Sequence, residues 1–327
     1  MDYSESEILS VVEPDKEKEK SEIRFLSACT AAAVIGYVIL SYAYSFLVRR
    51  LGLQRFLAGT QLKSQLTSFI VTLFVILVPF LISGCFAKKK TGVRLIPLKK
   101  PENLLTAILS VPSGVMFCIL GSVATSVISA VVSRFGATLT QPDISAPPTR
   151  YALVVYIIRL TLSAALIEEI CFRGIVMQPL RKHGDLFAVG MSAFVFAIMH
   201  GNLVQAPAAV ISGFAIGYFT VVTGTIWTGV IIHLLNNLLV AAEQYYLSAG
   251  NSDVLTFLTG PLTYALILIG GVCAIAFFAV RKRSGSAAEE KASSLNTSEK
   301  LSAFFLNPAM LLMILLMVYS MTGYIQK

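Results

Sequence analysis

The sequence is dominated by long apolar runs, most of them long enough to cross a bilayer as a helix. A membrane-spanning helix needs about 20 mainly apolar residues. Such runs, the fifth and sixth of them short, occur near residues 25–48, 66–87, 103–132, 151–179, 186–200, 206–223, 225–247, 260–280 and 303–322. The runs predict an all-α, polytopic membrane protein with about eight or nine transmembrane helices.

Charge and cysteine content agree with this class and exclude others. Only 13% of the 327 residues are charged, whereas about a quarter is typical of soluble domains. The net charge of +8 does not indicate a nucleic-acid partner, because Lys and Arg cluster beside the apolar runs, where they act as topology signals. The five cysteines are scattered singly, so neither a disulfide framework nor a cysteine zinc site is predicted.

The distribution of basic residues predicts how the chain is oriented and divided. Loops on the side of the N-terminus carry 17 Lys and Arg, and those on the other side carry 7. The positive-inside rule then places the N-terminus in the cytosol. We expect an acidic cytosolic tail, disordered or loosely helical, over residues 1–24 and a transmembrane domain over residues 25–283. Residues 284–327 are expected to form a polar linker and a peripheral last transmembrane helix.

Two adjacent carboxylates interrupt the fourth apolar run, in the segment AALIEEICFR at residues 164–173. A charge at membrane depth is costly and is commonly functional. Glu169 and Arg173 are four residues apart, so a helix places them on one face, where they can pair. Glu168 lies about 100° further around the helix and can face a cavity as a general base. The alternative is a structural ion pair that joins helices.

Two later runs carry further polar residues. His200 ends the segment FVFAIMH, and VIIHLLNNLL contains His233, Asn236 and Asn237. His233 and Asn237 share a helix face, and Asn236 could take the place of Asn237. Such a pair can donate hydrogen bonds to an oxyanion. Alternatively, the histidine can ligate a metal. The simpler interpretations are a hydrogen-bonded core histidine at 200 and polar contacts between helices around 233. The third histidine, His183, lies in the basic turn RKHGD and is interpreted as solvated.

The three segments are compatible with one polar cavity around which the helices are arranged. At the helical rise per residue, Glu168, His233 and His200 lie about 16, 12 and 20 Å from the inner ends of their spans. We therefore expect the cavity in the middle-to-cytosolic part of the membrane, built from motifs within residues 151–247.

Together the motifs resemble those of a known family. EEICFR fits EExxxR, FAIMH fits FxxxH and HLLNN fits HxxxN, in this order. The pattern is similar to that of the CPBP family of intramembrane proteases, which takes in the CAAX prenyl endopeptidases and the bacterial Abi or bacteriocin-immunity proteins. The resemblance covers about residues 150–245 and implies an intramembrane endopeptidase, in a bacterial cell membrane, that acts on a peptide or membrane-protein substrate.

The resemblance also implies roles for single residues. Glu168 and His200 would activate a water molecule, and His233 with Asn237 would stabilise the oxyanion. The supporting residues would be Glu169, Arg173 and Asn236.

The need for a metal is left open by the sequence. The family name implies a metalloprotease, and Glu168, His200 and His233 with one water would make an open zinc site. A metal-free glutamate mechanism has also been proposed for the family, and it needs no cofactor.

Two other classes of function remain as alternatives. The first is a non-catalytic membrane scaffold or immunity protein. The second is a proton-coupled transporter, because buried Glu and His also form proton relays. Neither repeat halves nor paired broken helices are visible in the sequence, which disfavours the transporter.

Overall fold

The computed structural model of the chain describes residues 16–142, 144–283 and 293–326, and these are almost entirely helical. The α-helices are α1 (Lys16–Arg50), α2 (Gln54–Ala58), α3 (Gln61–Thr91), α4 (Leu104–Arg134), α5 (Arg150–Ile158), α6 (Ala164–Glu169), α7 (Met177–Leu180), α8 (Asp185–Met199), α9 (Ala206–Thr223), α10 (Ile226–Ser248), α11 (Ser252–Phe257), α12 (Thr263–Arg283), α13 (Thr297–Phe305) and α14 (Pro308–Thr322). Other helical turns are π1 (Arg159–Ser163), π2 (Ile170–Val176), π3 (Leu258–Leu262) and a 3₁₀ turn, Arg181–His183. Strands β1 (Thr138–Leu139) and β2 (Ile325–Gln326) pair antiparallel, with Thr138 opposite Gln326.

The structure confirms an all-α polytopic membrane protein, but not the expected number of spans. Within the described ranges, six helical segments are long and apolar enough to cross a membrane: α1, α3, α4, α9, α10 and the stretch Ser252–Lys282. Helices α13 and α14 would add a seventh, but the chain bends by 72° between them. The count falls short of eight or nine because π turns interrupt the run at 151–179 and because α8 is a shorter apolar helix.

The N-terminal tail is helical over the part that the structure describes. Residues 1–15 lie outside the described residues, but residues 16–24 form the first turns of α1 rather than a disordered tail. Alternating Lys and Glu favour a helix because side chains three or four residues apart can pair. Lys20 lies 3.0 Å from Glu17, and Glu22 is paired with Lys182 at 2.7 Å. The pair of Glu22 and Lys182 anchors the start of α1 to the turn before α8.

His183, predicted to be solvated, is buried. Its Nδ1 lies 3.0 Å from Oε1 of Glu19 in α1. The same carboxylate accepts hydrogen bonds from the hydroxyls of Ser293, at 2.6 Å, and Ser294, at 2.8 Å. A polar cluster outside the apolar runs therefore connects α1, the turn before α8 and the segment before α13.

The last helices belong to the core, although the sequence predicted a polar linker and a peripheral span. Residues 284–292 of that linker lie outside the described residues, whereas residues 297–305 form α13, which begins with a capping box of Asn296 and Glu299. Asn307 caps α14 and donates a hydrogen bond to Ser27 Oγ in α1 at 2.6 Å. One face of α14 is buried in the main hydrophobic cluster through methionines three or four residues apart: Met310, Met313, Met317 and Met321.

Small residues bring the helices around the motifs close together. A Cβ atom added at Gly213 of α9 would lie 3.2 Å from the Ala193 Cα of α8, and one at Gly217 would lie 3.2 Å from a Val189 methyl. A Cβ at Gly114 of α4 would be 2.5 Å from Ile232 Cδ1 of α10. Helices α4, α8, α9 and α10 therefore hold the motif residues at short range.

Candidate active site

The EExxxR motif lies in a helical path over residues 150–180 that widens twice into π turns. Helix α6, which carries both glutamates, lies between π1 and π2. A π turn shifts the backbone hydrogen-bonding pattern and often occurs at functional sites. In π1 the Leu160 carbonyl accepts a hydrogen bond from Asn237 Nδ2 of α10 at 3.0 Å. An asparagine of the third motif thus attaches α10 to the helix that carries the first.

Glu169 is the buried centre of the site. Its side chain is completely buried, and Oε1 lies 3.1 Å from Arg173 Nη1 and 2.8 Å from His233 Nδ1. The pair with Arg173 is the one that the four-residue spacing predicted. The contact with His233 was not predicted, because it joins residues 64 positions apart.

Arg173 is held by three different groups. Besides Glu169, its Nη2 donates a hydrogen bond to the Gly213 carbonyl at 3.1 Å, and its guanidinium lies over the Phe196 ring at 4.8 Å. The side chain is fully buried. Arginine suits this position because its planar guanidinium binds oxygen acceptors at its edge and packs on an aromatic ring with its face.

His233 lies between the two glutamates. Its Nδ1 contacts Glu169, and its Nε2 lies 3.6 Å from Oε2 of Glu168, whose side chain is 23% exposed. An ionised Glu169 beside Arg173 can only accept a hydrogen bond, so His233 carries a proton on Nδ1. Its Nε2 is directed toward the less buried glutamate and is protonated only when the ring is an imidazolium.

His200 follows α8 directly and is oriented by its own helix. Its Nδ1 lies 2.8 Å from the Phe196 carbonyl oxygen. A carbonyl accepts only, so the proton of the neutral ring is on Nδ1 and Nε2 is left as an acceptor. Asn202, completely buried, donates to the His200 carbonyl at 3.0 Å and fixes the turn that follows. Sequence reasoning missed Asn202, and the only signal was its position two residues after the motif.

Phe196 is the shared apolar contact of the site. Its ring lies edge-to-face against His200 at 4.8 Å and His233 at 5.9 Å, besides lying under Arg173. The four-residue spacing of FxxxH places the ring one helical turn before His200. The aromatic residue thus keeps both histidine rings in fixed orientations.

The three motifs meet at one cavity of about 510 Å³. Its lining includes Glu168, His200, His233, Asn236 and Asn237, and it extends to Gln141 and Gln244. The predicted convergence of Glu168, His200 and His233 on one cavity is therefore present. The cavity reaches Gln141 and Ile144, which lie in the loop between α4 and α5. With the predicted orientation this loop is on the outer side of the membrane, whereas the cavity was expected in the middle-to-cytosolic part.

The two asparagines have different surroundings. Asn237 Nδ2 donates a hydrogen bond to the Leu160 carbonyl, whereas Asn236 Nδ2 donates, within the described ranges, to Asn237 Oδ1 at 3.3 Å. Asn237 thus has a structural contact in addition to its place on the cavity wall. An amide carries two N–H donors, and the bond to Leu160 leaves Asn237 with one more.

The open zinc site that the sequence left as one possibility is not assembled among the described side chains. Among the residues with described positions, no group of three or more His, Cys, Asp or Glu side chains is arranged to hold a metal ion. The Nδ1 of His233 is engaged by Glu169, and its Nε2 approaches a single carboxylate, Glu168, at 3.6 Å. Glu168, His200 and His233 border the same cavity without forming a three-ligand set.

Gly229 allows α10 to approach the buried glutamate. A Cβ atom at this position would lie 2.9 Å from Glu169 Oε2 and 2.6 Å from Thr220 Oγ1. Both oxygens are buried and lack a hydrogen-bond partner within the described part of the chain. The glycine therefore controls how closely α10, and with it His233, packs against Glu169.

Comparison with known families supports the resemblance seen in the motifs. Residues 150–239 match the family described as Type II CAAX prenyl endopeptidase Rce1-like. The matched segment runs from α5 into α10 and contains all three motifs. No curated protein and no solved structure matches the chain significantly. The family match implies a membrane protease.

Proposed function

We propose that this chain, whose residues 150–239 match the CAAX prenyl endopeptidase family, is an intramembrane endopeptidase in which Glu168 activates the attacking water. One observation carries the proposal. His233 is held between the buried Glu169 and the cavity-facing Glu168, at 2.8 and 3.6 Å. Such an arrangement of a base, an oriented histidine and a fixed second carboxylate is typical of acid–base catalysis.

Glu168 acts first as a general base. It takes a proton from a cavity water as the water oxygen attacks the substrate carbonyl carbon, and it then returns this proton to the leaving amine. His200 assists, because its Nε2 is an acceptor that can hold the second proton of the same water. The helical carbonyl of Phe196 fixes the ring for this task.

His233 stabilises the oxyanion. The net charge of the site is zero when the carboxylates of Glu168 and Glu169 face two cations, Arg173 and an imidazolium at His233. Balanced charge matters because an unpaired charge in a low-dielectric interior is costly. In this state His233 Nε2–H can donate to the developing oxyanion, and the remaining N–H of Asn237 is a second donor.

Glu169 acts as a positioning residue rather than only as a partner of Arg173. Its contact with Nδ1 sets the tautomer and the direction of His233, as a carboxylate does for a catalytic histidine. Arg173 supplies the countercharge of Glu169. Neither residue needs to touch the substrate.

The proposal is tested, and the substrate identified, by comparing the protein termini that cleavage creates in membranes with the wild type and with variants. Membranes that contain the wild type should show cleaved termini that are missing with Glu168→Gln. Glu243→Gln is the matched control, because Glu243 borders the same cavity in α10 but has no proposed role. Loss of the cleaved termini with Glu168→Gln but not with Glu243→Gln supports proteolysis. If both variants give the same termini as the wild type, a scaffold or a transporter is favoured.

A further inference from the structure

A dense basic cluster lies between α3 and α4, and the proposed mechanism does not use it. Residues 88–100 contain no acidic residue and six basic ones: Lys88, Lys89, Lys90, Arg94, Lys99 and Lys100. Lys99 pairs with Glu102 at 2.5 Å. Across the described ranges, none of the other five has a carboxylate within ion-pair distance. By contrast, three basic residues predicted on the same side of the membrane all have carboxylate partners: Lys20, Arg181 and Lys182.

Two members of this cluster, Lys88 and Arg94, border one cavity of about 490 Å³, called here the basic cavity. Its other lining residues are Gly92, Leu95 and Ile96. Helix α3 ends before Gly92 because this glycine adopts a left-handed conformation, with a φ of 69°, which has no steric cost without a Cβ. The Gly92 N–H donates to the Lys88 carbonyl at 2.8 Å. After this turn the chain places Arg94 at the same cavity as Lys88.

We propose that the basic cavity binds the phosphate of an anionic phospholipid through Lys88 and Arg94. A guanidinium presents a fork of N–H donors that matches a phosphate, and an ammonium group adds a compact positive charge. Both side chains are exposed, so they can reach a ligand without breaking an ion pair within the described ranges. Clusters of basic residues directly after a transmembrane helix are typical of binding to anionic headgroups.

The surroundings favour a lipid over a soluble phosphate compound. Helix α3 is long and apolar enough to cross a membrane, so the cavity at its end lies near the membrane surface. Exposed apolar side chains accompany the basic residues, with Phe86 before Lys88 and Leu98 after Arg94. Such a surface suits a ligand that has both a phosphate and acyl chains, whereas a soluble phosphate compound would use only the charges.

The wall of the basic cavity contacts both helical segments of the candidate active site. A Cβ atom added at Gly174, in π2 next to Arg173, would lie 3.1 Å from the Leu95 carbonyl oxygen. The carbonyl of Pro97 accepts a hydrogen bond at 3.0 Å from the backbone N–H of Ile226, the first residue of α10. The positive-inside rule accounts for the number of basic residues but not for this packing. A bound lipid restrains a loop that contacts π2 and α10.

Lipid binding to the purified full chain tests the site without any turnover, and therefore independently of the proposed protease function. Native mass spectrometry in detergent, with phosphatidylglycerol or phosphatidylcholine added, measures the two dissociation constants. The wild type should bind phosphatidylglycerol at least about tenfold more tightly than phosphatidylcholine, as expected for charge-assisted contacts. The double variant Lys88→Gln with Arg94→Gln should lose this preference.

The matched control is the double variant Lys89→Gln with Lys90→Gln. It removes the same charge beside the same end of α3, but its two residues are not among those that border the basic cavity, so it should keep the preference. All four substituted side chains are exposed, and both double variants should therefore melt at the wild-type temperature.

Three results would overturn the proposal. The first is equal binding of the two lipids by the wild type, and the second is an unchanged preference after substitution of Lys88 and Arg94. The third is an equal loss in both double variants, which would identify a general attraction by the charge of the whole cluster. Glycerol 1-phosphate is the soluble competitor. If it displaces phosphatidylglycerol at equal concentration, the site belongs to a soluble phosphate compound and the lipid assignment is wrong.

Discussion

At the scale of single residues, the site is a chain of groups that orient one another. Arg173 fixes Glu169, Glu169 fixes His233, and His233 faces Glu168. Exposure rises along this series, from the fully buried Arg173 and Glu169 to His233 at 6% and Glu168 at 23%. The arrangement explains why two adjacent glutamates are present, since one orients the histidine and the other faces the substrate.

The two asparagines of the third motif should respond differently to substitution. Asn237→Ala removes the hydrogen bond to the π1 carbonyl of Leu160, at a cost of about 0.5–1.5 kcal/mol. Asn236→Ala, whose amide donates to Asn237, should cost less. Thermal melts in detergent and turnover would compare the two, and a larger loss at Asn236 would reverse their roles.

Removal of metal should leave the activity unchanged. Glu168, His200 and His233 border one cavity but do not form a metal-ligand group, and the proposed mechanism uses only their protons and lone pairs. Turnover after exhaustive treatment with a chelator measures this directly, alongside elemental analysis of the purified protein. Reversible inactivation, restored by one equivalent of zinc, would show that the ligands rearrange to bind a metal.

At the scale of helices, the fit between α6 and α10 determines the geometry of the site. The contact between Glu169 and His233 exists because Gly229 lets α10 come within reach of the buried carboxylate. Gly114 performs the same task between α4 and α10. Glycines on these helix faces therefore contribute to the chemistry without touching substrate.

Substitution of Gly229 should disturb both stability and activity. The Cβ of Gly229→Ala would overlap Glu169 Oε2 and Thr220 Oγ1, and overpacking of this kind costs about 1–3 kcal/mol. Gly190→Ala in α8 is the matched control, because a Cβ there meets no other atom within 4 Å. Melting temperature and turnover should both fall in Gly229→Ala and stay unchanged in Gly190→Ala. If neither variant changes them, α10 can shift without loss of stability or activity.

The sequence predicted local contacts well and long-range contacts poorly. Spacing of four residues was enough to pair Glu169 with Arg173, because helix geometry alone brings them together. The Glu169–His233 contact depends on helix packing, which no single motif encodes. The π turns of residues 150–180 were also missed, because their hydrogen-bonding pattern depends on tertiary partners such as Asn237.

At the scale of the whole molecule, the polar cluster at the start of α1 is separate from the cavity, whereas the C-terminal strand β2 pairs with β1 just before Gln141 of the cavity lining. The cluster of Glu19, His183, Ser293 and Ser294 lies at the end with the basic loops. Its burial was not foreseen, because local composition makes RKHGD resemble a solvated turn. The cavity instead extends toward Gln141 in the loop after α4.

Accessibility of Gln141 should report which side of the membrane the cavity faces. With the N-terminus in the cytosol, as the basic residues predict, a Gln141→Cys variant should react with a membrane-impermeant maleimide in intact cells. Cys85 is exposed and should be replaced by serine beforehand, and Lys182→Cys serves as the control at the opposite end. Labelling of Gln141→Cys only after permeabilisation would invert the predicted orientation.

Turnover of one identified substrate by purified protein in liposomes tests the central claim most directly. The turnover of the wild type, Glu168→Gln and Glu243→Gln would be compared, and melting temperatures would be recorded on the same samples. The account predicts that Glu168→Gln folds like the wild type but loses nearly all cleavage, since a general base contributes about 10²–10⁴-fold, while Glu243→Gln keeps it. Cleavage by Glu168→Gln at the wild-type rate would contradict the assignment of Glu168 as the base that activates water.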